Sequence, residues 1–404
     1  MTSNSTYIGQ KRSVLICLIF IFSILTFFNI GAISTSFIFG IMLIILSLSY
    51  FKFYFIPRGL SILLLTFIII SLIGLLLSGS PLELQHFKRV IQVLYWFLLA
   101  VYIFNSYDYL DKKQLSKVIF IAILVYLFIN LRYKLVLRNE VAFTVIIMGP
   151  MGLFFLPKYI YRLCYSMVLL ILMFVLGSRT GAIICLGQMI LFLILFTPRL
   201  NGRSKLLITV FILLIVGTNL SPLRKELGQI VLPVNERIGL FLVNPEWVFK
   251  NDISWLQRRA QIQKGFQIFK EHPILGIGIF NFQNYEVDID VTQIQSNRGK
   301  IRNIDFRSSH NVYISLLSET GILGFTLVIV MFLLILYHLF VNIDRLGSSF
   351  EAAIFISFMG MLVYFYFISS FFGTSSWLLY GLTLGAARYS HEFRGVKGQT
   401  SVSN

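Results

Sequence analysis

Charge is scarce in this chain. Asp, Glu, Lys and Arg make up only 13% of its 404 residues, against about 25% in soluble globular proteins. Hydrophobic residues make up 57% and the mean hydropathy is +0.82. That balance excludes a soluble globular domain and indicates an all-α, polytopic membrane protein. Acidic residues are scarcer still: 17 Asp and Glu face 34 Lys and Arg, for a formal charge of +17. In a soluble protein this excess would suggest nucleic acid. Here the cations read as topology signals and interfacial anchors, so no nucleic-acid partner is expected. Cysteine is nearly absent. Cys17, Cys164 and Cys185 all fall in apolar runs, with no CxxC or His-rich spacing, which excludes a disulfide framework and a zinc site. No metal or cofactor is expected.

Long apolar runs are what the chain does have. A helix needs about 20 such residues to cross the hydrocarbon. Runs of that kind fall near 13–31, 34–51, 59–78, 90–105, 115–131, 141–156, 163–178, 180–197, 206–220, 321–341, 351–371 and 374–388. They predict about twelve spans, the first being retained rather than cleaved as a signal peptide. Residues 1–220 form a bundle of about nine spans, 221–311 a polar loop, and 312–404 about three further spans and a tail. With the N-terminus inside, alternate short loops carry Lys52, Arg58, Lys112, Lys113, Lys117, Lys158, Arg162, Arg199, Arg203 and Lys205. The opposite loops carry fewer: Lys88, Arg89, Arg132, Lys134 and Arg138. The excess predicts cytoplasmic termini and an external 221–311 loop.

Within the loop, Trp255, Ile262, Phe266 and Phe269 recur at helical spacing and predict an amphipathic helix from Trp255 to Lys270. Asp252 and Ser254 are candidate caps, and His272-Pro273 ends the helix. Gly276 and Gly278 predict a tight turn. The polar stretch 288–305 reads as a flap.

The candidate site residues come from distant parts of the chain but map to one face. Arg179, in Gly177-Ser178-Arg179-Thr180-Gly181, is either a snorkelling interfacial cation or a planar fork for phosphate. Arg258 and Arg259 lie at the margins of the apolar helix face, and are either solvated or aimed at a lipid phosphate. His310 opens the return to the membrane and is either a structural hydrogen-bonder or a proton acceptor. Asn311, Tyr313, Ser318 and Glu319 follow it at near-helical spacing, a polar start for an apolar helix. One histidine and two or three arginines on one face suit an anionic, lipid-linked substrate.

With these residues in place, the chain resembles the O-antigen polymerase and O-antigen ligase superfamily of bacterial membrane glycosyltransferases. The resemblance rests on Gly177-Ser178-Arg179-Thr180-Gly181, on Arg258 ahead of His272-Pro273-Ile274-Leu275-Gly276-Ile277-Gly278, and on His310-Asn311-Val312-Tyr313 followed by Glu319-Thr320-Gly321-Ile322-Leu323-Gly324. Ile262 stands where the family often has Trp.

The resemblance implies a metal-independent transferase of the inner membrane. Its donor is a glycan on polyprenyl (undecaprenyl) diphosphate, and its acceptor is a sugar hydroxyl on another repeat or on lipid A–core. The product is O-antigen, capsule or exopolysaccharide, with a chain-length regulator as a candidate partner. By the same resemblance His310, Arg179 and Arg258 are catalytic, and Ser178, Arg259, Asn311, Tyr313 and Glu319 bind substrate. Two other classes fit less well. A flippase for lipid-linked oligosaccharide would carry ionisable residues through the bilayer, whereas here they crowd one face. A scaffold protein would use the loop for partners and would tolerate loss of His310.

Overall fold

The computed structural model describes the backbone of residues 13–14, 16–21, 23–24, 29–30, 33–34, 41, 58–77, 84–133, 138–196, 221–233, 236–287, 309–341, 350–368 and 373–400. The expected spans at 34–51 (save Ser34 and Ile41) and 206–220 and the expected flap lie outside or almost outside these residues. The described chain is helical, apart from a two-stranded antiparallel ladder of β1 (Asn29–Ile30) and β2 (Ile33–Ser34) at the junction of the first two expected spans.

The helices are α1 (Arg58–Leu77), α2 (Leu84–Ser106), α3 (Lys112–Tyr133), α4 (Arg138–Gly152), α5 (Tyr159–Val175) and α6 (Arg179–Phe196). In the loop come α7 (Ser221–Val231), α8 (Glu236–Val243), α9 (Pro245–Asn251) and α10 (Ile253–Glu271), and then α11 (Val312–Val341), α12 (Phe350–Tyr364) and α13 (Thr374–Thr400). Helices therefore stand where most of the apolar runs predict them. Among the described residues two helices, Lys112–Tyr133 and Val312–Val341, are long and apolar enough by length and composition to cross a membrane. Leu65–Leu77, Asn139–Phe155, Tyr159–Val175, Arg179–Leu195 and Phe350–Tyr364 are shorter apolar helices.

Packing brings the C-terminal helices onto those of the first half of the chain. α13 packs on α2, α12 on α4 and α6, and α11 on α1 and α10. Several buried polar side chains bond back within their own helix, as Asn105 does to Val101 O, and others tie helices to one another. Gln188 of α6 donates to the carbonyls of Ile146 in α4 (2.9 Å) and Ile356 in α12 (3.2 Å). Glu351 of α12 pairs with Lys112 of α3 and accepts the Tyr107 hydroxyl at 2.8 Å. In an apolar setting such bonds orient helices, because hydrophobic burial alone cannot tell lipid from protein.

The most consequential feature is a break in α11. Gly321 leaves the helical region (φ 61°, ψ −168°). A break in an apolar helix strands backbone groups that water cannot reach, and each must find a protein partner. The turn after α10 supplies them. Ile277 N–H donates to Ser318 O (3.1 Å) and Gly278 N–H to Glu319 O (2.8 Å), while Ile322 N–H donates back to Pro273 O (2.8 Å).

Glycine is required on both sides of this junction. Gly276 and Gly321 have positive φ, and a Cβ on either would strike the other segment's backbone, at Glu319 and Ile274 respectively. Gly276→Ala is therefore expected to destabilise the protein by roughly 3 kcal/mol, combining left-handed strain with overpacking. Thermal unfolding in detergent reads this out, with Gln283→Ala at an exposed position as the neutral control. An unchanged melting temperature for Gly276→Ala would show that the junction is not needed for stability.

Candidate active site

The Gly177-Ser178-Arg179 segment is a helix stop and a helix start in three residues. α5 ends in a Schellman turn: Gly177 (φ 72°) donates to Phe174 O at 3.0 Å and Ser178 N–H to Met173 O at 3.1 Å. Ser178 then caps α6, its Oγ accepting the Gly181 N–H at 3.2 Å. The split expected near Ser178 is thus a real helix break, and it fixes Arg179 as the first residue of α6. The Arg179 guanidinium reaches the loop, where Nη2 lies 2.9 Å from Asp252 Oδ2 and Cζ lies 6.0 Å from the Phe241 ring centroid.

Asp252 is also the cap of α10, since its Oδ1 accepts the Trp255 N–H at 3.3 Å. The helix runs close to its expected bounds, but its inward face differs from the expected one. Leu256, Ala260, Lys264 and Ile268 are buried, whereas Phe266 is 47% exposed and Trp255, Ile262 and Phe269 are only half-buried. Lys264 enters this stripe because Phe282 covers it, with Nζ 5.0 Å from the ring centroid. Burial lowers the Lys264 ammonium from its ordinary range, and the nearby Glu286 charge opposes that shift.

The corrected face separates the two adjacent arginines. Arg259 is exposed, and Arg258 is half-buried among charged and polar neighbours. Burial lowers the Arg258 pKa from its ordinary value. Tyr364 opposes that shift, Arg179 adds to it, and Asp252 opposes it. An arginine keeps its proton regardless. A partly desolvated cation with a second guanidinium nearby is therefore under-compensated, and an arriving anion is favoured there.

His310 has a left-handed backbone, with φ 47°. Few residues other than glycine adopt it, though His does so more readily than most. The following residues hold it in place. Asn311 caps α11, its Oδ1 accepting the Ile314 N–H at 3.1 Å. The Ser309 hydroxyl accepts the Asn311 N–H (3.1 Å) and lies 2.6 Å from Ser315 Oγ. Val312 N–H donates to Phe365 O at 2.8 Å, and the Tyr313 hydroxyl donates to Leu362 O at 2.7 Å. Val312 and Tyr313 thus pin the His310 segment to the end of α12, and Asn311 caps the helix that follows. Glu319 lies two turns further along at the glycine junction, buried, with Oε1 accepting the Phe282 N–H at 3.3 Å.

Tyr364 links these parts, and nothing in the sequence singles it out. It is the last residue of α12 and buried. Its hydroxyl donates to Asn139 O at 2.8 Å, its side chain interacts with Ser178, and its electrostatic neighbour is Arg258. The next residue, Phe365, holds Val312. One helix end therefore joins the Ser178-Arg179 turn, Arg258 and the His310 segment. Arg259 stands apart on the exposed side of α10.

Against known families, residues 164–329 match the O-antigen ligase model. No curated protein matches the chain. The matched stretch contains Arg179, Arg258, His310 and the glycine junction. The match supports a function of the O-antigen polymerase or ligase type, a family that implies lipid-linked glycan substrates and a membrane setting. Residues 164–329 are thus similar to the O-antigen ligase family, and that match supports the resemblance to the O-antigen polymerase and ligase superfamily.

Proposed function

We propose that the protein transfers a glycan from a polyprenyl diphosphate carrier to a sugar hydroxyl at the outer face of the inner membrane, with polymerisation of lipid-linked repeats as the favoured reaction. The observation that carries this reading is the convergence of Arg179, Arg258 and the His310 segment on the Tyr364–Phe365 end of α12. In the proposed reaction the acceptor oxygen forms a bond to the anomeric carbon of the donor. The bond from that carbon to the diphosphate oxygen breaks, and the polyprenyl diphosphate leaves with the bonding pair. Arg179 and Arg258 neutralise the charge that grows on it. His310 takes the hydroxyl proton. Arg259, on the exposed side, meets the substrate's outer part. The chemistry is proposed to need no divalent metal.

The test uses purified protein, a defined lipid-linked donor and no divalent metal. Lengthening of the donor's own glycan supports polymerisation, and transfer only when lipid A–core is added supports ligation. ATP-independent movement of donor across vesicles without a new glycosidic bond would replace the reading by a flippase. The sidedness is checked in cells with cysteines at the exposed positions Glu286 and Lys113. An impermeant reagent is expected to label the first and not the second. The opposite pattern would place the site on the cytoplasmic face.

A further inference from the structure

Asp252 holds two groups with two different oxygens. Oδ1 caps the helix that carries Arg258, and Oδ2 holds the Arg179 guanidinium at 2.9 Å. The pair is well sheltered: the two side chains retain 23% (Arg179) and 14% (Asp252) of their exposure. A carboxylate is the closest protein analogue of a phosphate oxygen edge, and both bind the guanidinium fork in the same way. The sequence links the two elements in no other evident way, since Arg179 and Asp252 are 73 positions apart.

We propose that Asp252 is a built-in counter-ion that occupies the Arg179 fork in the resting protein and gives it up to the diphosphate of the incoming donor. The inference rests on the reading of Arg179 as a diphosphate clamp. In the resting state Asp252 compensates Arg179 and lowers the repulsion between it and Arg258. As diphosphate arrives, Oδ2 is exchanged for a phosphate oxygen, while Oδ1 keeps the cap and the loop helix keeps its start. When the polyprenyl diphosphate product leaves, Asp252 returns to the fork and helps displace it. Asp252 is therefore a positioning residue that sets how tightly the site holds diphosphate.

The two oxygens allow the two roles to be separated. Asn and Ser are as good as Asp at a helix cap, and neither carries charge. Asp252→Asn and Asp252→Ser should therefore insert and keep the cap, with a melting temperature only slightly below the parent's because the ion pair is lost. Each is expected to bind inorganic pyrophosphate about fivefold more tightly, measured by calorimetry on the purified full chain, because a competing ion pair of modest strength is gone. In the transfer assay both variants should show a lower KM for donor and a lower kcat, since product is held longer.

A cap alone would not predict tighter anion binding. Unchanged or weaker pyrophosphate binding in both variants would overturn the counter-ion role. Arg179→Ala separates this from the underlying reading. If Arg179→Ala loses pyrophosphate binding while the Asp252 variants match the parent, the clamp stands and the counter-ion falls. If Arg179→Ala binds as the parent does, both fall.

Discussion

Replacing His310 by alanine is expected to leave binding of the diphosphate-linked donor intact and to lower glycan transfer by about 10²–10⁴-fold, the range a positioned base contributes. A sugar hydroxyl is a weak nucleophile until its proton has somewhere to go. His310 stands on a segment whose next residues are tied down by the Asn311 cap, the Val312–Phe365 bond and the Tyr313–Leu362 bond. Its ring is therefore displayed from a fixed backbone. Glutamine should not rescue transfer, because it hydrogen-bonds but does not accept the proton. His310→Gly gives an independent reading. Glycine accepts φ 47° without strain, so this variant should be about 1 kcal/mol more stable than His310→Ala while equally poor in transfer. Thermal unfolding and the transfer assay on the same preparations decide it. Near-normal turnover in either variant would remove His310 from the chemistry and leave an electrostatic enzyme built on arginine.

The second large effect concerns Arg258. Arg258→Ala is expected to cost about 10²–10³-fold in transfer, the usual loss when one donor to a developing anion is removed. Lysine should restore only part of it, since a point charge lacks the planar fork. Arg259→Ala should be far milder, although the two residues are neighbours in sequence. The reason is the helix face: Arg258 lies toward Arg179, Asp252 and Tyr364, and Arg259 lies outward. Both variants keep the Asp252 cap and the buried Leu256–Ala260–Lys264–Ile268 stripe, so folding should not confound the comparison. Parallel transfer and pyrophosphate-binding measurements separate lost chemistry from lost binding. An essential Arg259 beside a dispensable Arg258 would overturn the assignment.

Gly276 and Gly321 show how much local sequence reveals. Gly276 was legible as a turn, because glycine is the residue that makes such a backbone inexpensive, whereas Gly321 stood at the start of an expected span and its break was not legible. Their pairing was not legible. The turn after α10 supplies the backbone partners that the break in α11 needs, and the two lie more than forty residues apart in the chain.

The apolar face of α10 was the plainest misreading. Trp255, Ile262, Phe266 and Phe269 follow helical spacing, yet Leu256, Ala260, Lys264 and Ile268 face inward. Periodicity assigns the apolar side to the core on the assumption that the other side meets water. Beside a membrane the outer side can also be apolar, so hydrophobicity no longer tells inward from outward.

Composition and apolar runs determined the all-helical class, and the three glycine-containing motifs carried the resemblance that the match of residues 164–329 supports. These depend on residues close together in the chain: runs of hydrocarbon length, caps, and positions where only glycine fits. The tertiary structure decided what depends on distance and direction. It put Arg258 on the half-buried side of α10 and Arg259 on the exposed side, gave Asp252 to Arg179, and brought Tyr364 among the candidate residues. Tyr364 reads as one more aromatic at the end of an apolar helix. Its polar role exists because Asn139 and Ser178 meet it from two other segments, with the Arg258 charge nearby, and a buried hydroxyl is stable only where such partners converge.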